Sequence, residues 1–161
     1  MKMGSGKRIL TVSVVLVLLS FTATHSDVLT RTLAFEVECL DVETGTVVTS
    51  CRDPFANDEG LGEEAWDVLM AYHADRAVHA VVWQNPANGT EIALLEDIPF
   101  ERVTVDHVAD ASFVRDLVDQ PLDTTRVVLI RTGTGAIYKL GNSLESETGV
   151  AFDIELLSPA E

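Results

Sequence analysis

RVVLIRTGTGAIYKLGN, residues 126–142, brings two glycines and a lysine within seven positions: Gly133, Gly135 and Lys139. Such a run is either a loop that grips phosphate or two strands and the turn between them. A Walker-type loop needs four residues between its first glycine and a Gly-Lys-Ser/Thr ending, with a helix behind it. Lys139 instead lies between Tyr138 and Leu140, in a run without helical periodicity. A dinucleotide fingerprint needs its third glycine where Tyr138 stands. Val127–Ile130 and Ile137–Leu140 are apolar runs of strand length, and glycine in the turn between them supplies positive φ at little cost. The stretch reads as a β-hairpin without phosphate chemistry.

The neighbouring segments extend the same pattern. In "VAFDIELL", Val150, Phe152, Ile154 and Leu156 alternate with Asp153 and Glu155, the period of a half-buried strand. Upstream, Leu33, Phe35, Val37 and Cys39 alternate with Ala34, Glu36 and Glu38; a Glu43–Thr46 turn and the alternating Val47, Thr49 and Cys51 follow. Trp66, Val68, Met70 and Tyr72 alternate as a strand, although residues 61–75 also fit a helix. Val78–Trp83 and Thr90–Leu95 flank the turn signal Asn85-Pro86-Ala87-Asn88-Gly89. Phe100–Val105 reads as extended, and Val108, Ala111, Phe113, Val114 and Leu117 suit a short helix ended by Pro121. The expected fold is mainly β: antiparallel sheets with glycine-turned hairpins and one or two short helices.

The N-terminus fixes the expected compartment. Lys2, Lys7 and Arg8 precede an apolar run, Ile9 to Phe21, and small polar residues follow, the layout of a secretory signal over residues 1–26. The run is short for a membrane span, so membrane contact is expected only if the segment stays uncleaved. No cysteine follows closely enough to carry a lipoprotein anchor. Residues 27–161 then form one domain, exported to a periplasm, a cell surface or the extracellular space. The signal holds three of the 11 basic residues and none of the 26 acidic ones, so the remainder has a formal charge of −18. Lys139 is its sole lysine. That field repels nucleic acid and anionic membrane surfaces, and leaves a small apolar ligand or a protein as the expected partner.

Cys39 and Cys51 are the two cysteines, in a chain bound for an oxidising place. A hairpin centred on Gly45 would set them opposite each other within disulfide reach, so the domain is expected to be disulfide-stapled. Two thiols are too few for a structural zinc.

The order of short motifs resembles a known family. The hairpin "LAFEVECLDVETGTVVTS" is followed by the Trp-Asp pair of "AWDVLMAYHADRAV", then "FERVT", then "VVLIRTGTGAIYKL" and a closing "GVAFDIELL". In this order they are similar to the secreted HmuY-like haem-binding proteins, over roughly Leu33 to Leu157. The resemblance implies an all-β fold and haem held between two axial histidines. The candidates are His107, His79 and His73. His73 and His79 flank one tight turn and would sandwich a porphyrin poorly, so His107 supplies the better second face, with Met70, Tyr72 and Trp83 as apolar wall.

Catalysis finds little support. No Gly-x-Ser-x-Gly elbow and no His-Glu-x-x-His occurs, and a cystine would remove both thiols from nucleophilic work. Asp106, Asp110, Asp116, Asp119 and Asp123 lack the alternating oxygens and the glycine of an EF-hand loop, although a calcium-stabilised acidic surface is one alternative. Asn88-Gly89-Thr90 matches an N-glycosylation acceptor, and its Asn-Gly pair also suits a turn. The expectation is a non-catalytic binding module, with haem as the implied ligand. The alternative is a secreted structural or protein-interaction domain with no small ligand.

Overall fold

The computed structural model describes residues 27–35, 38–49, 66–72, 80–85, 88–115 and 120–160. Ten strands run β1 (Leu29–Ala34), β2 (Glu38–Asp41), β3 (Thr46–Thr49), β4 (Val68–Tyr72), β5 (Ala80–Gln84), β6 (Glu91–Glu96), β7 (Gln120–Pro121), β8 (Arg126–Arg131), β9 (Ile137–Glu145) and β10 (Gly149–Ser158). They form two antiparallel five-stranded sheets, ordered β1-β10-β9-β8-β6 and β3-β2-β4-β5-β7. The chain is mainly β, as the alternating patterns imply.

Between the sheets lies the main core. Ile92, Val128, Ile130, Leu140 and Phe152 of the first sheet meet Leu40, Val68, Met70 and Val82 of the second. The alternation of β10 follows from this: Val150, Phe152 and Ile154 face inward, while Asp153 and Glu155 stand on the opposite face.

The uninterrupted apolar run of β8 has a different cause. Val128 and Ile130 enter the main core, whereas Val127 and Leu129 enter a second apolar layer with Ala93, Phe100 and Val103. That layer lies on the outer face of the first sheet under a strap, residues 97–115. The strap contributes Ile98, Phe100, Val103, Val108, Ala111 and Phe113 to it. A strand covered on both faces cannot alternate, because either parity is removed from water. Burying a side chain such as Phe100 contributes about 1.5–3 kcal/mol.

The strap departs from the sequence expectation at both ends. Phe100–Arg102 and Val105–Val108 are 3-10 turns rather than one extended piece. Val108 to Val114 is not a helix: Val114 makes a two-way bridge with Ile92 on the free edge of β6, N to O at 3.1 Å and 3.0 Å. Of the apolar residues that suggested a helix face, Val108, Ala111 and Phe113 pack half-buried on the sheet instead, and Val114, itself exposed, gives its backbone bonds to the sheet edge. This bridge also covers part of an edge strand that would otherwise present unpaired groups.

The first hairpin turns earlier than expected. Asp41 pairs with Thr46 and Cys39 with Val48, so Val48, not Cys51, stands opposite Cys39. The Asp41 carboxylate sets this register by accepting from the backbone N–H groups of Glu43 and Thr44, each at 3.0 Å. Cys39 is wholly buried beside Trp66 and Leu69. Of the helical alternative over 61–75, Val68–Tyr72 is a strand, and residues 61–65 and 73–75, with Cys51, the N-terminal apolar run, His73 and His79, lie outside the described residues.

Candidate functional site

The glycine-rich hairpin does grip an anionic group, and that group belongs to the chain itself. Thr132 Oγ1 donates to Glu43 Oε1 at 2.7 Å, and Thr134 Oγ1 donates to the same oxygen. The β8–β9 turn of the first sheet is thereby clasped to the β2–β3 turn of the second. Hydroxyls make this grip, not the ring of backbone N–H groups that a phosphate loop provides.

Lys139 is equally committed to the fold. It is 3% exposed, on the strap side of β9. Its Nζ donates to Phe100 O at 2.9 Å and Val103 O at 3.1 Å, pairs with Glu155 Oε2 at 2.9 Å, and lies 4.4 Å from the centroid of the Phe100 ring. An ammonium has three hydrogens to give, and all three are used. The lysine that suggested a phosphate site is the pin that fastens the strap.

The far end of the strap has its own clamp. Glu91 is largely buried and accepts from Arg115 Nε and, at 2.7 Å, from Arg131 Nη1, while the Arg131 guanidinium lies over the Phe113 ring at 3.7 Å. The Arg115 hydrogen bond holds the Glu91 carboxyl below its usual range, with Arg131 adding to it and burial opposing.

The Trp-Asp pair is structural as well. Asp67 accepts from Thr90 Oγ1 at 2.8 Å and from Val42 N at 3.0 Å, and its backbone carbonyl accepts from Asn85 N at 2.8 Å. Trp66 O accepts from Asn85 Nδ2 at 3.0 Å and Asn88 Nδ2 at 2.6 Å. Both ends of the glycosylation motif therefore hold the fold: the Asn88 amide binds Trp66, and the Thr90 hydroxyl, wholly buried, binds Asp67. Burial pushes the Asp67 carboxyl up; its two hydrogen bonds oppose the shift, and the charges of Asp41 and Glu43 reinforce it.

These two carboxyls give opposite pH dependences. Folding raises the affinity of Asp67 for a proton, so its contribution falls as pH rises from the ordinary value of 3.8 to the raised folded value. Folding lowers the affinity of Glu91, so its contribution is complete above the ordinary value of 4.5 and is lost as pH falls through the lowered folded value. Urea denaturation at a series of pH values from about 3 to 7 separates them. Asp67→Asn, whose amide can accept from Val42 and donate to Thr90, is expected to remove the fall toward neutral pH. Glu91→Gln is expected to remove part of the loss in acid. Unchanged pH profiles in both variants would contradict this assignment.

The one described histidine among the candidates, His107, closes the second 3-10 turn. Its ring Nδ1 accepts from the Thr104 backbone N–H at 3.2 Å, with the Thr104 hydroxyl also at 3.2 Å, in a capping box. A ring nitrogen that accepts a backbone N–H carries no proton, so the proton of the neutral ring sits on Nε2. His107 therefore offers a donor at Nε2. A metal ligand would need a bare lone pair there, with Nδ1 protonated and donating to an acceptor.

His107 lines a surface recess of about 260 Å³ together with Asp97, Ile98, Pro99 and Arg102. Among the described residues, neither the Asp97 carboxylate nor the Arg102 guanidinium has a hydrogen-bonding or ionic partner. Sequence reading singled out His107 here and missed the other four. The only local signal was Pro99, a punctuating residue between a strand and the Phe-Glu-Arg segment. The described residues contain no group of three or more His, Cys, Asp or Glu side chains arranged to hold a metal ion. Of the acidic run proposed for calcium, Asp123 is engaged with Thr125 and Arg126, and Asp116 and Asp119 lie outside the described residues. No family model, curated protein or solved structure matches this chain.

Proposed function

We propose that this chain is an exported, non-catalytic binding module whose ligand meets it at the recess beside His107. One contrast supports this reading. The buried ionisable groups Lys139, Glu91 and Asp67 are all committed to partners within the fold. In the recess, Asp97 and Arg102 have no partner among the described residues, beside a histidine whose Nδ1 accepts the Thr104 N–H. Export rests on the three-part N-terminal layout. A Cys39–Cys51 disulfide belongs to the same proposal, supported by the burial of Cys39 and by the fact that no described cysteine is a free thiol.

Haem is the ligand that the HmuY-like resemblance implies, with His107 and either His73 or His79 on the iron. The Thr104 N–H on His107 Nδ1 argues against this, since ligation through Nε2 would require that bond to be given up. The recess is also smaller than the roughly 300–1,000 Å³ of clefts that enclose drug-sized molecules. A polar organic ligand or protein group is the better fit. A visible-absorbance titration of the secreted protein with ferric haem tests the choice. The expected spectrum is the sum of free haem and protein. A saturating low-spin Soret band that is lost in His107→Ala would establish the haem reading in its place.

A further inference from the structure

Within the binding reading just given, on which this step rests, the recess has a definite chemical preference. We infer that it takes a small zwitterion, an α-amino acid with an apolar side chain. Its carboxylate would meet Arg102 and the His107 Nε2–H, its ammonium would meet Asp97, and its side chain would lie on Ile98 and Pro99.

Four observations carry this. First, two residues of opposite charge line one recess, yet among the described residues no ion pair joins them and neither has another partner. A ligand with both charges matches both at once, whereas a ligand with one leaves the other side chain unmatched. Second, a chain with a formal charge of −18 beyond residue 26 repels a bare carboxylate. A ligand of zero net charge escapes that repulsion. Third, the recess measures about 260 Å³, a metabolite's size, and Ile98 and Pro99 give it an apolar portion beside the polar groups.

Fourth, the backbone around it is held in place. Lys139 binds the carbonyls of Phe100 and Val103, which bracket Arg102. Asn142 Nδ2 donates to Glu101 Oε1 at 3.2 Å. Asp97 sits at φ 58°, a left-handed conformation that a non-glycine residue adopts at a cost. Thr104 fixes the His107 ring. A recess whose groups are already placed loses less entropy on binding.

The test is an NMR titration of the secreted protein with four probes: L-leucine, N-acetyl-L-leucine, L-leucine amide and N-acetyl-L-leucine amide. Leucine is expected to shift the signals of Asp97, Arg102 and His107 saturably at millimolar concentration. The two singly charged probes are expected to bind about tenfold more weakly, each lacking one charged hydrogen bond. Arg102→Gln and Asp97→Asn should each weaken leucine to a similar degree with the circular dichroism spectrum unchanged, because both side chains are exposed. If a singly charged probe binds as well as leucine, the zwitterion inference falls and the recess stands as the contact point. If none of the four moves a recess signal, both fall.

Discussion

Replacing Lys139 by methionine is expected to lower the unfolding free energy by about 3–5 kcal/mol, the range for breaking a buried ion pair from one side. Methionine restores much of the stem's volume but none of the three hydrogen-bond donors. The Phe100 and Val103 carbonyls lose their partner beneath the strap, and the Glu155 carboxylate loses its cation. Each carbonyl left unsatisfied costs about 1–3 kcal/mol. Lys139→Arg is expected to rescue little, since a planar guanidinium presents its donors in a fixed fork instead of three hydrogens diverging from one nitrogen. The double variant Lys139→Met/Glu155→Leu should recover part of the loss, because it removes both charges of the pair at once. Urea denaturation gives the magnitude, and hydrogen exchange locates it: protection should fall first in residues 97–115. A Lys139→Met protein as stable as the parent would show that the pin contributes nothing net.

Gly133→Ala is the second large effect, expected at about 1–3 kcal/mol from overpacking. A Cβ on Gly133 would stand 2.1 Å from the backbone oxygen of Asn88. Backbone cannot swing aside as a side chain can, so the 88–90 turn must shift. That turn carries Asn88, which holds Trp66, and Thr90, which holds Asp67. The damage should therefore extend to the second sheet. Gly135 differs in cause: a Cβ there meets nothing within 4 Å, but its φ of 97° is one that an L-residue rarely adopts. Gly135→Ala should thus cost stability locally and leave the near-ultraviolet signal of the Trp66 region intact, whereas Gly133→Ala should change both. A pair of phosphate-loop glycines would have one shared purpose; these two have separate ones. Equal and purely local effects would refute the distinction.

Particular residues show why some of this was legible in advance. Alternation in β10 and the glycine between β8 and β9 are local properties, and a hairpin needs only neighbouring residues. The continuous run Val127–Ile130 read only as an apolar strand, and the structure shows that both of its faces are covered. The strap that covers one of them differs from the sequence reading twice, where Phe100–Val105 reads as extended and Val108 onward as a short helix. Its backbone geometry is set by distant groups: Lys139, 36 to 39 residues away from the carbonyls it holds, and the free edge of β6. The first hairpin slipped for a local reason instead: the Asp41 side chain takes the N–H groups two and three residues on, which sets the turn early and puts Cys39 opposite Val48.

The residues that drew attention as chemistry divide in the same way. Lys139, Asp67, Asn88 and Thr90 carried the look of motifs, and each is held by the fold. His107 was visible in the sequence, but its tautomer depends on the Thr104 N–H, and its companions Asp97 and Arg102 became a recess only when two 3-10 turns folded them round Pro99. By itself the sequence determined the β class, the hairpin at Gly133–Gly135 and the acidic charge, because periodicity, turn preference and composition are properties of neighbours or of simple sums. The tertiary structure alone decided which lysine is a pin, which carboxylate is a clasp and which polar groups remain open, because a hydrogen bond between residues far apart in the chain has no signature in either one.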